Sequence, residues 1–189
     1  MPVATGSKEV WPSWSYLPAN TRPPAWATAF VDVVRQAQAT VETATGDLPG
    51  LRSDAVLAVI AEPLRALGYE VEAGKAAAQR IRRPVLFGEN GVASVTYEVD
   101  AVHDGLGVVV EVEAGRGARG NAAYRDLIRA SLILDARYLA LVMPIAYRAQ
   151  SGGRPIVVPA YREARDLLAA VYASQRLRLP FEGVLLVGY

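Results

Sequence analysis

The chain has 189 residues, of which 52% are hydrophobic and 21% charged, and its net charge at pH 7 is +1. These values are typical of one folded domain with a sizeable core, and they do not indicate the strongly positive charge of many nucleic-acid-binding proteins. No apolar run reaches the ~20 residues of a membrane span, and no signal peptide is recognised, so we expect a cytoplasmic protein without membrane contact. The chain has no cysteine and His103 is its single histidine, so any chemistry is expected to depend on carboxylates.

The sequence predicts an N-terminal arm and one α/β domain. Residues 1–23 are rich in proline and tryptophan and predict an extended arm, while residues 24–189 predict a single domain. Hydrophobic periodicity and capping residues predict the following elements. In chain order they are helices at 24–44 and 53–68, strands at 69–73, 84–88, 94–103 and 108–114, a helix at 120–136, strands at 137–144 and 154–160, a helix at 161–177 and a strand at 183–188. This order predicts an α/β sandwich in which helices flank a central mixed β-sheet.

The clearest element is a hairpin, in which two alternating strands flank the turn sequence "DGLG". Glu111 and Glu113 are two residues apart on its second strand and therefore share a face. Both two-residue turn registers place Asp100 and Glu98 on that same face. One of them sets Asp100 opposite Glu111 and Glu98 opposite Glu113, whereas a three-residue loop would separate the pairs.

Such a cluster of carboxylates requires a cation, because like charges that face each other on a sheet are destabilising. A hard divalent ion such as Mg²⁺ takes oxygen ligands from one or two carboxylates and completes its shell with water or phosphate. The alternative interpretation is a solvent-exposed face of an antiparallel sheet, with valines inside and glutamates outside.

An aspartate on one strand, an acidic-x-basic triplet on the next and a following helix resemble the PD-(D/E)xK nuclease superfamily. Val99-Asp100 stands where that family has Pro-Asp, and Glu111-Val112-Glu113 stands where it has (Asp/Glu)-x-Lys. The resemblance covers residues 53–144. Glutamate in place of the lysine is similar to one branch of the restriction endonucleases.

The resemblance implies roles for individual residues. Asp100, Glu111 and the Val112 carbonyl would bind Mg²⁺, for which Mn²⁺ would substitute, and Glu113 would orient or deprotonate the attacking water. It also implies an acidic residue from the first core helix, for which Glu62 is the candidate. The remaining candidate acidic residues are Glu70, Glu72 and Glu98. Candidate DNA-phosphate contacts are Lys75, Arg80, Arg82, Arg83, Arg116, Arg119 and Arg125.

The function that this resemblance implies is Mg²⁺-dependent hydrolysis of double-stranded DNA by a type II restriction endonuclease, with a companion methyltransferase as a possible partner. Symmetric cleavage of both strands would require a homodimer, for which the final helix and the N-terminal arm are the candidate contacts. Two alternatives remain open. One is a catalytically inactive nuclease-fold subunit that binds DNA, and the other is a repair or recombination nuclease that recognises DNA structure.

Overall fold

The computed structural model describes residues 11–45, 50–74, 76–114, 122–174 and 176–189. The helices among them are α1 (Ala25–Gln36), α2 (Gln38–Val41), α3 (Ser53–Ala66), α4 (Ala122–Ser131) and α5 (Ala160–Ser174), with short 3₁₀ turns at Ala77–Gln79 and Glu89–Gly91. The first five strands are β1 (Ser13–Leu17), β2 (Glu70–Val71), β3 (Ile81–Phe87), β4 (Ala93–Val99) and β5 (Ala101–His103). The others are β6 (Val108–Val112), β7 (Tyr138–Met143), β8 (Tyr147–Ser151), β9 (Arg154–Val158) and β10 (Gly183–Gly188).

Six strands form the central sheet, in the order β1-β10-β7-β6-β5-β2. The strands β6, β7 and β10 run parallel to one another at its centre, and the strands outside them pair antiparallel. The central strands β7 and β10 are almost wholly buried and read as continuous apolar runs, as expected where helices cover both faces of a sheet. The predicted α/β sandwich with a central mixed sheet is therefore confirmed.

The two faces of the sheet pack against different helices. Phe30 of α1 and Ile60 of α3 belong to one hydrophobic core, together with Val110 and Val112 of β6. Leu127 of α4 belongs to the opposite core, together with α5 residues and Val109. Because side chains alternate along a strand, Glu111 lies on the face that α4 covers.

The predicted strand 94–103 is two strands, because the chain bends at Asp100. The strand β4 leaves the central sheet and pairs with β3 in a separate two-stranded ribbon, while β5 remains paired with β6. Ala101 pairs with Val110, so the register is the one that sets Asp100 opposite Glu111. The turn between β5 and β6 ends at Gly107, whose φ of 68° is accessible to glycine at little cost.

Other elements differ from the predictions in extent. The predicted arm contributes β1, an edge strand that pairs with β10, so this segment packs on its own domain. The helix predicted at 24–44 is divided between α1 and α2, and the strand predicted at 69–73 is reduced to the two residues of β2. The ribbon of β8 and β9 includes a strand, β8, that the sequence did not predict. Among the described residues, no helix combines the length and the hydrophobicity that crossing a membrane requires.

Candidate active site

Asp100, Glu111 and Glu113 lie together where β6 ends and β5 begins, on the sheet face that α4 covers. The bend at Asp100 brings its carboxylate over the β6 backbone, where the Val112 N–H donates a 2.7 Å hydrogen bond to Asp100 Oδ2. The next peptide group points the other way, since the Glu113 N–H donates to the Val142 carbonyl of β7 at 2.8 Å. The N–H and C=O of one residue in an extended strand point to the same side, so the Val112 carbonyl faces Asp100 as well.

Burial controls the protonation of these carboxyl groups. It raises the pKa of Asp100 from its ordinary 3.8 to about 6, with a further rise from the charges of Glu72 and Asp126. The Val112 N–H and the Arg129 guanidinium oppose that rise. Burial also raises the pKa of Glu111 well above its usual range, and the neighbouring Asp100 charge adds to it. Folding therefore removes these carboxyl groups from water, which disfavours their charged forms.

Glu113 has a different environment from the other two acids. Burial and the adjacent Asp126 carboxyl raise its pKa to about 8, while the guanidinium of Arg125 opposes the rise. Arg125 Nη2 donates to Glu113 Oε1 at 2.6 Å. A carboxyl group with a pKa close to neutral can accept a proton and release it again, which is the property required of a general base.

Asp126 is a fourth carboxylate of the cluster, which sequence reasoning missed. Its side chain is 2% exposed, its Oδ1 accepts a 2.9 Å hydrogen bond from Arg125 Nε, and its Oδ2 is buried without a hydrogen-bond partner among the described residues. A signal was present in the sequence, because Asp126 falls on the buried face of α4 with Ala123, Leu127 and Ala130. An aspartate at an apolar position of an amphipathic helix indicates a paired or functional carboxylate.

The donor set suits a hard divalent cation. Asp100 and Glu111 offer two partly buried carboxylates whose mutual repulsion a cation would relieve, and the Val112 carbonyl is directed to the same side. No group of three or more acidic or histidine side chains that could hold a metal ion is found within the described ranges. Any cation at Asp100 and Glu111 would therefore depend on main-chain oxygen, water or substrate phosphate for its remaining ligands, as is common for Mg²⁺.

Three of the predicted supporting acids are not brought into the cluster. Glu62 is 83% exposed on α3 and pairs with Arg65, so it does not reach the buried carboxylates. Glu70 is exposed on β2. Glu98 does not face Glu113, because β4 pairs with β3 and sets Glu98 opposite Arg82. Glu72 differs from these three: its N–H donates to the Asp100 carbonyl at 2.8 Å, and its charge acts on the Asp100 carboxyl.

The predicted phosphate contacts have different environments. Arg80 and Arg82 both pair with Glu98 across the β3–β4 ribbon, which explains why Glu98 tolerates its position there. Arg83 pairs with Asp104 of the β5–β6 turn, and Arg125 is engaged with Glu113 and Asp126. The other three candidates, Lys75, Arg116 and Arg119, lie outside the described residues.

Comparison with solved structures finds a similar fold in the restriction endonuclease BglII, in a crystal structure complexed with a DNA 16-mer. The TM-score is 0.55, the match covers 94% of this chain and 77% of the BglII chain, and 12% of the residues are identical. No protein-family model matches the chain, and no curated protein matches it. At this identity the likeness establishes the fold alone: the protein has a restriction-endonuclease-like fold.

Proposed function

We propose that the protein is a metal-dependent endodeoxyribonuclease of the PD-(D/E)xK type, with Glu113 at the position of the motif lysine. The observation that carries this proposal is the Val112 N–H bond to Asp100, which holds that carboxylate beside partly buried Glu111 at the end of a parallel strand. A buried pair of acids has no structural advantage over apolar residues of similar size. The restriction-endonuclease-like fold supports the same conclusion.

In this mechanism Asp100, Glu111 and the Val112 carbonyl would hold Mg²⁺, or Mn²⁺ in its place. When bound, the ion supplies charge neutralisation at the scissile phosphate and lowers the pKa of the attacking water. Glu113 accepts a proton from that water as its oxygen attacks phosphorus. The bond from phosphorus to the 3′ oxygen breaks, which leaves a 5′-phosphate and a 3′-hydroxyl that takes up a proton.

Double-stranded DNA is the proposed substrate. The BglII structure is a DNA complex, which makes DNA the first polymer to test. Substitution of the motif lysine by Glu113 also favours a second candidate, an inactive nuclease-fold subunit that binds DNA without cutting it. A nuclease directed by DNA structure would share the same site and would differ in its substrate.

Cutting both strands would require two copies of this site, and we propose that the chain forms a homodimer through an apolar surface beside it. This surface would comprise the exposed large hydrophobic residues of α4, its C-terminal end and the β3–β4 ribbon: Leu86, Phe87, Val92, Val95, Tyr124, Ile128, Leu132 and Leu134. The described part of the chain has twelve exposed large hydrophobic residues, and eight of them lie here. The two segments meet where the Leu134 N–H contacts the Pro84 carbonyl at 3.4 Å.

The apolar composition of this surface favours a second copy as its partner. Its members are 37–66% exposed, and homodimer interfaces are more apolar than the rest of a protein surface. A two-fold contact would place the same surface of both subunits together. The described part of α5, which the sequence suggested as a contact, carries no exposed large hydrophobic residue.

The test of catalysis is cleavage of unmethylated plasmid and phage DNA in Mg²⁺ and in Mn²⁺. We expect the wild type to cut, Glu111→Ala to reduce the rate by at least about 100-fold, and the exposed variant Asp32→Asn to retain activity. Discrete fragments would indicate sequence recognition, whereas cutting restricted to branched or nicked DNA would indicate structure recognition. DNA binding without cleavage by the wild type would favour the inactive subunit.

The test of the dimer surface is the substitution Ile128→Glu, with Leu177→Glu as its control. Both residues are 46% exposed, but Leu177 lies outside the surface. Sedimentation equilibrium should show a wild-type dimer, a monomeric Ile128→Glu variant and a dimeric Leu177→Glu variant. A dimer that persists in Ile128→Glu would show that another surface forms it.

A further inference from the structure

Glu113 stands where the nuclease motif has a positively charged lysine, yet a positive charge is present beside it. It comes from α4, where the guanidinium of Arg125 donates through Nη2 to Glu113 Oε1 at 2.6 Å. The same guanidinium donates through Nε to Asp126 Oδ1 at 2.9 Å. We propose that Arg125 and Asp126 are a positioning pair, in which Asp126 anchors Arg125 and Arg125 supplies the fixed charge that holds Glu113. This inference rests on the proposed nuclease function.

The burial of Asp126 indicates that this residue has a functional role. Its side chain is 2% exposed, and Oδ2 has no hydrogen-bond partner among the described residues. A buried carboxylate with an unsatisfied oxygen destabilises a fold, and an apolar residue at this point of α4 would pack with Leu127 at lower cost. An apolar residue, however, could not contact Arg125 and Glu113 as Asp126 does.

A second Arg-Asp pair in the chain provides a comparison for Arg125 and Asp126. The tripeptide Arg-Asp-Leu occurs in α4 at residues 125–127 and again in α5 at residues 165–167. In α5 the same adjacent ion pair forms, with Arg165 Nη2 at 3.0 Å from Asp166 Oδ1, but the Asp166 side chain is 63% exposed. The local sequence therefore accounts for the ion pair in both helices, and only the packing of α4 on the central sheet directs it toward a third carboxylate, Glu113.

Positioning and phosphate contact, the role that the sequence suggested for Arg125, predict different measurements. Two donors of its fork are already committed to Glu113 and Asp126, on two different nitrogen atoms. A guanidinium that contacts DNA phosphate instead contributes to affinity and to the salt dependence of binding. A positioning pair contributes to turnover and leaves the salt dependence unchanged.

The experiment compares Arg125→Met, Arg125→Lys and Asp126→Asn with Arg165→Met and Asp166→Asn in steady-state cleavage. General acid–base groups typically contribute 10²- to 10⁴-fold, so we expect Arg125→Met to lower kcat by about 100-fold with KM for DNA little changed. Arg125→Lys should recover most of that activity. Asp126→Asn should lower kcat about tenfold, and in combination with Arg125→Met it should add nothing further, because both act through Glu113. The α5 variants should match the wild type.

Measurements of DNA affinity test the competing role of Arg125, contact with a DNA phosphate. Binding is measured in a Glu111→Ala background, so that cutting does not interfere, over a series of salt concentrations. If Arg125 binds a phosphate, Arg125→Met will weaken DNA binding and reduce the slope of log K against log salt by about 0.9. That result, or a kcat that survives Arg125→Met, would overturn the positioning role.

A readout without catalysis separates this inference from the proposed function. If the wild type cuts no DNA, the nuclease function fails, and the coupling of Arg125 to Glu113 is measured by thermal unfolding. Arg125→Met should lower Tm in the wild type more than in a Glu113→Ala background, because the substitution leaves Glu113 facing Asp126 without its cation. Equal decreases in both backgrounds would show that Arg125 does not hold Glu113.

Discussion

Replacing Asp100 by asparagine should stabilise the protein in the absence of metal, and it should abolish the cleavage that we propose. Asparagine has nearly the same shape, and its carbonyl oxygen can still accept the hydrogen bond that the Val112 N–H donates to Asp100. What the substitution removes is a buried charge close to Glu72 and Asp126. Sites evolved for chemistry commonly sacrifice stability to keep such groups.

The size and sign of this effect follow from the pKa of Asp100. Burial raises that pKa from 3.8 to about 6, which corresponds to about 3 kcal/mol at 1.36 kcal/mol per pKa unit. Between these two values the folded protein holds a proton that the unfolded chain has released, so stability falls as pH rises through this window. The full cost is present above about pH 6 and is absent below about pH 4.

We expect Asp100→Asn to raise Tm at pH 8 by about 6–12 °C, since 1 kcal/mol shifts Tm by about 2–4 °C in a chain of this size. The gain should vanish near pH 4. Thermal unfolding followed by circular dichroism in EDTA measures both values, and the exposed turn variant Asp104→Asn serves as the control. A decrease in stability at pH 8, or a gain that does not depend on pH, would refute the account of a strained carboxylate cluster.

Three further predictions concern the site and the fold around it. Affinity for Mn²⁺, measured by calorimetry, should rise from pH 6 to pH 8 with release of protons, because Asp100 and Glu113 must give up theirs; constant affinity would argue against a site at these carboxylates. Thr43→Val should lower the free energy of unfolding, measured in urea, by about 1–3 kcal/mol. The reason is that buried Thr43 Oγ1 donates to the Tyr189 carbonyl and accepts from the Ala146 N–H at 3.3 Å. Thr45 is exposed, so the control Thr45→Val should change this free energy little. Gly107→Ala should cost more in the same assay than Gly91→Ala: both glycines have positive φ, but only at Gly107 would a Cβ meet a neighbour, the Asp135 carbonyl oxygen at 2.9 Å.

Several features of this protein were determined by local sequence. The alternation of valines and acids in residues 108–113 specified a strand with Glu111 and Glu113 on one face, and "DGLG" specified a hairpin turn, while the structure selected the register that sets Asp100 opposite Glu111. The apolar run of residues 137–144 indicated a central strand covered on both faces, which is β7. These features depend on periodicity and turn chemistry, which act between residues that are close in the chain.

Other features were decided by the tertiary structure. The bend at Asp100 sends β4 to a separate ribbon, so Glu98 meets Arg80 and Arg82 and not Glu113. Glu62 was assigned to the site through the resemblance, but the orientation of α3 directs it to solvent. Alternation along a strand predicts which face a side chain occupies, and it cannot predict where a strand leaves its sheet.

The pair of Arg-Asp-Leu segments shows the division most directly. Local sequence determined that the arginine and the aspartate of each segment would form an ion pair on a helix. In α5 that ion pair forms while Asp166 remains exposed. Only the packing of α4 across the end of β6 buries Asp126 and brings it to Glu113, which belongs to a different element of the fold. The position of a residue in a helix fixes the direction of its side chain around the helix axis. The burial and the charge contacts of that side chain depend on which residues of the packed sheet lie opposite it.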